Sequence, residues 1–464
     1  MPTLVQAITG LWLGAARANK RCGSADIQQR IAAHQNRRTH AGLASSARLW
    51  QDRFPNQSPG DSIAMRLGID RLLAEGELRR PLQGRRIALL GHSASVNHVG
   101  RHSLDALMSL GGLDITAAFG PQHGMRGDKQ DNMVESDDYT DPLHGIPVYS
   151  LYGDVRSPTD AMLDSFDVLL VDLQDIGTRI YTYVTTLAYV LEACAAHGKA
   201  VWVLDRPNPA GRPIEGSILE PGWESFVGAG PLMMRHGLTL GELARWFVAV
   251  KGLDLEYEVI AMQDYDPQSA PGYGWPRDEI AWVNPSPNAS SLNMARCFPG
   301  SVLLEGTTLS EGRGTTVPLE LFGAPRIDIC LLMQRMESLQ ADWMQGALVR
   351  CCGFEPTFHK HQGQLCHGIQ LHTDSVHYQH MRFRPYRLIA LFLKSLRLEY
   401  PDYPIWRDFP YEYETERLAI DLLTGGTFLR EWVDDAAAEP ADLDDRLRPD
   451  EALWQEQRRA FLLY

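Results

Sequence analysis

FDVLLVDLQD, residues 166–175, decides the fold. Val168, Leu169, Leu170 and Val171 follow one another without a polar break, and Asp172, Gln174 and Asp175 come directly after. A strand with one wet face alternates apolar and polar residues. A short unbroken apolar run reads instead as a strand buried on both faces, the habit of parallel sheets. Three other runs repeat the pattern: RIALLGH (86–92), LDITAAFG (113–120) and KAVWVLDRPNP (199–209). Helix-like segments lie between them, among them RHSLDALMSLGG and TTLAYVLEACAAHGK. The second closes on His-Gly-Lys, a C-terminal helix signal. Strand and helix in alternation give βαβ units, so the expected class is α/β, with a Rossmann-like, doubly wound, mainly parallel sheet.

Ligands bind such sheets beyond the carboxyl ends of the strands. Each run ends in polar residues: His92-Ser93, Gln122-His123, Asp172 to Asp175, and Asp205-Arg206. Four polar ends converging on one crevice place the expected active site there. No GxGxxG follows the first strand and no GxxxxGK[ST] occurs, so the sheet does not imply a nucleotide.

The text on either side differs. Residues 1–64 are rich in Ala, Arg, Gln and Ser with little periodicity; they read as a poorly ordered extension, or as untranslated with Met65 the start. Residues 65–258 read as the Rossmann-like domain. Residues 259–464, richer in proline and turns, read as a smaller α/β (α+β) domain that lends a loop to the crevice.

The 464 residues are 44% hydrophobic and 22% charged, with a formal net charge of -14. That balance fits a globular protein and argues against a nucleic-acid partner held through phosphates. Seven cysteines with no CxxC pair argue against structural zinc or a disulfide framework, and a cytoplasmic setting is expected. The stretch TLVQAITGLWLGAARA would make it periplasmic if it acted as a signal peptide, but it lacks a basic start. No apolar run is long enough for a membrane span. Nothing in the sequence sets an oligomeric state.

Several clusters carry chemistry. In PQHGMRG, glycines around Gln122, His123 and Arg126 allow close backbone approach to a ligand, and Arg126 offers a fork for a carboxylate. DLQDIGTRIYTY groups Asp172, Gln174, Asp175, Arg179 and Tyr181; VLDRPNP holds Asn208 between prolines; NPSPN presents Asn284 and Asn288. Each has a bland reading as ion pair, cap or turn. EGTTLSEGRGTT is the least ordinary stretch, packing Glu305, Glu311 and Arg313 among small polar residues. Six histidines lie within residues 359–380, but without HExxH or similar spacing no metal is expected. No GxSxG elbow supports a serine hydrolase.

Taken in order, GPQHGMRG, GIPVYSLYG, DLQDIGTRIYTY, VLDRPNP, SFVGAGPLMMRHGLTLGELA, NPSPN and EGTTLSEGRGTT resemble the exo-β-N-acetylmuramidase family known as NamZ. The resemblance runs from Gly91 to the C-terminus. It implies a Rossmann-like domain joined to a smaller α/β domain with the active site in the cleft between them, and no cofactor. It further implies a glycosidase that removes N-acetylmuramic acid from the non-reducing end of peptidoglycan fragments, chiefly the disaccharide with N-acetylglucosamine. His236 joins the substrate-binding set through this resemblance. Glycoside hydrolysis ordinarily uses two carboxyl groups, although an N-acetylated sugar can use its own amide as nucleophile. Arg126, Arg179 or Arg313 would suit the lactyl carboxylate. Family members commonly read PEHG where this chain reads PQHG, and a glutamine can neither give nor take the proton. Either another carboxylate serves, Glu305 first and Asp172 second, or the reaction differs, or the chain binds muropeptides without cleaving them.

Overall fold

The computed structural model describes residues 65–127, 129 and 133–464; the reading of residues 1–64 lies outside them. Among the described residues, twelve strands run in chain order: β1 Arg86–Gly91, β2 Asp114–Gly120, β3 Tyr139–Thr140, β4 Pro147–Ser150, β5 Val168–Asp172, β6 Ala200–Leu204, β7 Glu215–Ile218, β8 Met233–Arg235, β9 Tyr257–Ile260, β10 Leu321–Ala324, β11 Leu348–Phe354 and β12 Cys366–His372. The four apolar runs are β1, β2, β5 and β6. They form the middle of a seven-stranded sheet ordered β3-β4-β2-β1-β5-β6-β9. Every neighbouring pair is parallel except β3 with β4. The chain moves from β1 outward to β4, then returns to β5 on the other side of β1, which makes the sheet doubly wound.

The unbroken apolar runs follow from this arrangement. Ile87 and Leu89 of β1, Val168 and Leu170 of β5, and Ala200 and Trp202 of β6 face one core. The alternate residues Ala88, Leu90, Leu169, Val171, Val201 and Val203 face another. Helices Gly68–Ala74 and Ser103–Leu110 cover the first face through Ile69, Leu72, Leu104 and Leu107. Helix Thr182–Ala196 covers the second through Val184, Leu187 and Leu191. It ends at His197 with Gly198 in the left-handed region, where His-Gly-Lys placed the stop. Each Leu or Val so buried contributes about 1.5–3 kcal/mol relative to exposure, and Leu170→Ala would cost about 2–5 kcal/mol through transfer and cavity terms.

The second core continues into the C-terminal segments through helix Pro385–Glu399, which buries Leu388, Ile389, Leu391 and Phe392. That helix packs beside Leu292–Ser301 and Ile329–Gln340, and the antiparallel sheet β10-β12-β11 lies in the same half. The boundary expected after residue 258 runs through β9, the last strand of the large sheet. The described residues outside 141–145 belong to one compact unit. Among the described residues, no helix is long and apolar enough to cross a membrane.

Candidate active site

Beyond the carboxyl end of β2 lies an open-sided cavity. Five segments wall it. Gln122 and His123 come from the turn after β2, and Ile180, Tyr181 and Thr182 from the start of the helix after β5. Ser286 and Asn288 come from the proline-stiffened loop, Glu305 and Arg313 from the glycine-rich stretch, and Tyr411 and Glu412 from a tight turn near the C-terminus. Val227, Met294, Phe298, Val302 and Leu319 supply an apolar floor.

Two carboxylates face this space in different settings. Glu305 accepts from Arg313 Nη2 at 2.6 Å and from the Tyr411 hydroxyl at 2.8 Å. Behind it, Arg313 Nε donates to Glu311 at 3.2 Å, and Lys360 Nζ reaches Glu311 at 2.8 Å. Burial opposes the Glu311 charge, but Lys360, Arg313 and His359 outweigh it and hold that carboxyl below its ordinary range. Burial also works against Arg313, yet Glu305 and Glu311 raise its hold on its proton. Its Nη1 is buried with no hydrogen-bond partner.

Glu412 stands in a setting of the opposite kind. Its Oε1 accepts from Gln122 Nε2 at 3.2 Å and its Oε2 from the Tyr152 hydroxyl at 2.8 Å, with no cation hydrogen-bonded to it. Burial is the largest influence and pushes this carboxyl above its ordinary range. The two hydrogen bonds pull it back, and the negative Glu305 pushes it further up. The Gln122 amide is oriented by Thr182 Oγ1, which donates to Gln122 Oε1 at 2.7 Å.

Backbone conformation fixes both walls. Tyr411 and Glu414 exchange two backbone hydrogen bonds of 3.0 Å, closing a two-residue turn whose central residues, Glu412 and Tyr413, have φ of 47° and 70°. Such turns favour Asn-Gly, because only small or specially bonded residues take positive φ without strain. A glutamate and a tyrosine there cost on the order of 1–3 kcal/mol each, strain that the hydrogen bonds to Gln122 and Tyr152 offset by holding Glu412 inward. Tyr413 points out and is exposed; Arg156 lies against its ring and that of Tyr152. His123 also has positive φ, 70°, with Nδ1 2.8 Å from the Lys129 carbonyl.

Of the residues expected from sequence, the cavity brings together Gln122, His123, Tyr181, Asn288, Glu305 and Arg313. The structure places the others elsewhere. Asp172, the last residue of β5, is fully buried: Arg206 donates to its two oxygens at 2.5 and 2.9 Å, and Ser103 adds a further bond. Gln174 spends its amide on the carbonyls of Asp175 and Pro207. Asp175 caps Gly177 N at 2.7 Å and lies 3.4 Å from His236, which is wholly buried. Gly177 must be glycine: it has φ of 84°, and a Cβ would come within 2.3 Å of Asn208 Oδ1.

Arg179 is fully buried and donates to the carbonyls of Ser217, Leu232 and Leu423. Asn208 holds the Leu238 carbonyl and the Ala210 amide. Arg126 is exposed and pairs with Asp105 at 3.2 Å. Asn284 is exposed, and Glu311 stands behind Arg313 rather than on the cavity wall. These polar strand ends tie loops together. His92 joins the two regions: its Nδ1 donates to the Pro285 carbonyl at 3.0 Å and its Nε2 accepts from Gln174 N at 2.9 Å. Burial drives it down to about 3, so it is neutral, as that pair of bonds requires.

Among the described residues, no group of three or more His, Cys, Asp or Glu is placed to hold a metal. His361 pairs with the Thr308 carbonyl and His380 stacks on Tyr273. Sequence reasoning missed Glu412, Tyr411 and Tyr152. The one available signal was YEYE, where a tight turn carries neither glycine nor asparagine.

Two buried carboxylates, Glu305 and Glu412, line one cavity beyond the strand ends of a doubly wound sheet, an arrangement that glycoside hydrolysis can use. Residues 87–293 match the family described as exo-β-N-acetylmuramidase NamZ, N-terminal, and residues 296–464 match its C-terminal counterpart. The chain belongs to this family. It is 43% identical over 307 residues to the peptidoglycan β-N-acetylmuramidase NamZ of Bacillus subtilis, covering 66% of this chain and 72% of that protein. Two crystal structures of DUF1343 family proteins from Bacteroides fragilis are similar in fold. One has a TM-score of 0.74 at 27% identity, over 87% of this chain and 99% of the other; the second has 0.63 at 26%, over 86% and 99%.

Proposed function

We propose that this glycosidase releases N-acetylmuramic acid from the non-reducing end of peptidoglycan fragments such as the disaccharide MurNAc-GlcNAc. The observation that carries the reading is the pairing of Glu305 with Arg313 on the cavity wall, with one guanidinium nitrogen, Nη1, left without a partner. Muramic acid differs from other N-acetylated hexosamines by a lactyl carboxylate, and a buried, charged donor with no bond partner is what such a group would satisfy. Of the three candidate arginines, Arg179 lies off the cavity, although its Nε also lacks a partner, and Arg126 is on the surface, so Arg313, which lines the cavity, takes the role. Glu305 then lies where positive charge grows on the sugar ring as the glycosidic bond lengthens. Tyr181 and Asn288 offer groups to the sugar, and His123 forms the wall at the strand end.

The test is incubation of the purified protein with MurNAc-GlcNAc and quantification of both free sugars. Equal amounts of the two, released over many turnovers, support the proposal. Saturable binding without release would make the chain a muropeptide-binding protein, the reading that Gln122 favours because it cannot transfer a proton.

A further inference from the structure

The glycosidase reading leaves Glu412 without a task. This side chain is nine-tenths buried, lines the cavity beside Gln122, and is held there by a turn whose two central residues both sit in the left-handed region. Two polar groups from separate segments, the Gln122 amide and the Tyr152 hydroxyl, converge on its two oxygens. Among the described residues no cation is hydrogen-bonded to it and it caps no helix, although the charge of Arg156, which lies against the Tyr152 and Tyr413 rings, favours its ionised form. An acid kept in such a place at the cost of backbone strain is a functional group.

We propose that Glu412 is the proton donor to the leaving group, with Gln122 and Tyr152 as the residues that position it. The proposal rests on the glycosidase reading and names the acid that this reading requires. In the step, the Glu412 O–H bond breaks and its proton passes to the glycosidic oxygen. The bond between that oxygen and the anomeric carbon breaks at the same time, and its electron pair stays on the oxygen. Water adds its hydroxyl to the anomeric carbon, and its remaining proton restores the Glu412 carboxyl, so the cycle needs no other reagent.

The two carboxylates then divide the work by environment. Glu305, paired with Arg313, faces the sugar ring, while burial and then Glu305 hold the Glu412 carboxyl above the ordinary glutamate range, against the pull of its two hydrogen bonds and of Arg156. Gln122 contributes by being neutral. A glutamate there would stand about 3.2 Å from Glu412, and two carboxyls that close share one proton between them.

The test compares two substrates in wild type and Glu412→Gln: the disaccharide MurNAc-GlcNAc, whose leaving group needs a proton, and 4-nitrophenyl β-N-acetylmuramide, whose leaving group does not. The expected result is a loss of about 10²–10⁴-fold in kcat on the disaccharide, with nitrophenol release within about tenfold of wild type. The wild-type profile of kcat/KM against pH on the disaccharide should also carry an alkaline limb that the nitrophenyl substrate lacks. That second measurement needs no variant and stands if Glu412→Gln does not fold. Equal losses on both substrates, or disaccharide turnover that survives the substitution, would overturn the role of Glu412. Failure of wild type on both substrates would instead overturn the glycosidase reading beneath it.

Discussion

Asp172 and Glu305 are both buried carboxylates paired with an arginine, and both lie in stretches that sequence alone marks as catalytic candidates. They differ in what lies on their far side. Asp172 has two bonds from Arg206 and one from Ser103, and it does not line the cavity. Glu305 has Arg313 and Tyr411 behind it and open space in front, and its arginine keeps one donor unpaired. Burial and a charged partner are therefore common to structure and function. What separates the two is the cavity, which Glu305 and Arg313 line and Asp172 does not.

The comparison breaks most visibly through stability. Asp172→Asn leaves Arg206 buried without its counter-charge and should cost about 3–5 kcal/mol, read as a lower urea midpoint with unchanged slope. A stable Asp172→Asn protein would mean that the strand-end ion pair is not structural.

His92 tests the join between the two regions. Its folded pKa, near 3, lies below the unfolded value of 6.5, because burial disfavours the charged ring. The sign follows from linkage: the contribution is complete above pH 6.5 and is lost as pH falls towards 3. His92→Gln should therefore reduce the difference in stability between pH 7 and pH 4.5 by about 2–3 kcal/mol. An unaltered pH dependence in the variant would contradict the neutral, doubly bonded ring.

Arg313→Lys sharpens the open side. A lysine keeps the charge and loses the planar fork, so KM for MurNAc-GlcNAc should rise about 10- to 100-fold. Binding of an analogue without the lactyl group should change far less. Equal weakening for both would remove the lactyl carboxylate from Arg313. The smallest effect belongs to Arg126→Ala, an exposed pair with Asp105: stability should move by less than about 0.5 kcal/mol and kcat/KM by less than about twofold. A larger loss of activity would return that residue to the site.

The core of the fold was legible because parallel strands buried on both faces cannot alternate, and β1, β2, β5 and β6 show it in four unbroken runs. The outer strands were not. β4 is four residues with mixed burial, and β9, YEVI, is half exposed, so neither carries the signature. Half of the site was legible for a related reason: Gln122, His123, Glu305 and Arg313 sit among glycines that a plain structural loop does not need. Arg179 and Asn208 looked the same on paper, but backbone carbonyls left over where strands turn into loops claimed their donors. Glu412 was hidden because its distinguishing property is a positive φ in a turn, which the letters YEYE do not display.

Turnover of MurNAc-GlcNAc by Glu305→Gln, expressed per folded molecule and set beside Asp172→Asn, tests the central claim most directly. The account predicts a folded Glu305→Gln protein with kcat reduced about 10³-fold or more, and an Asp172→Asn protein whose folded fraction turns over at the wild-type rate. Near-normal turnover by Glu305→Gln, or a stable but inactive Asp172→Asn, would contradict it and put the chemistry back at the sealed strand end.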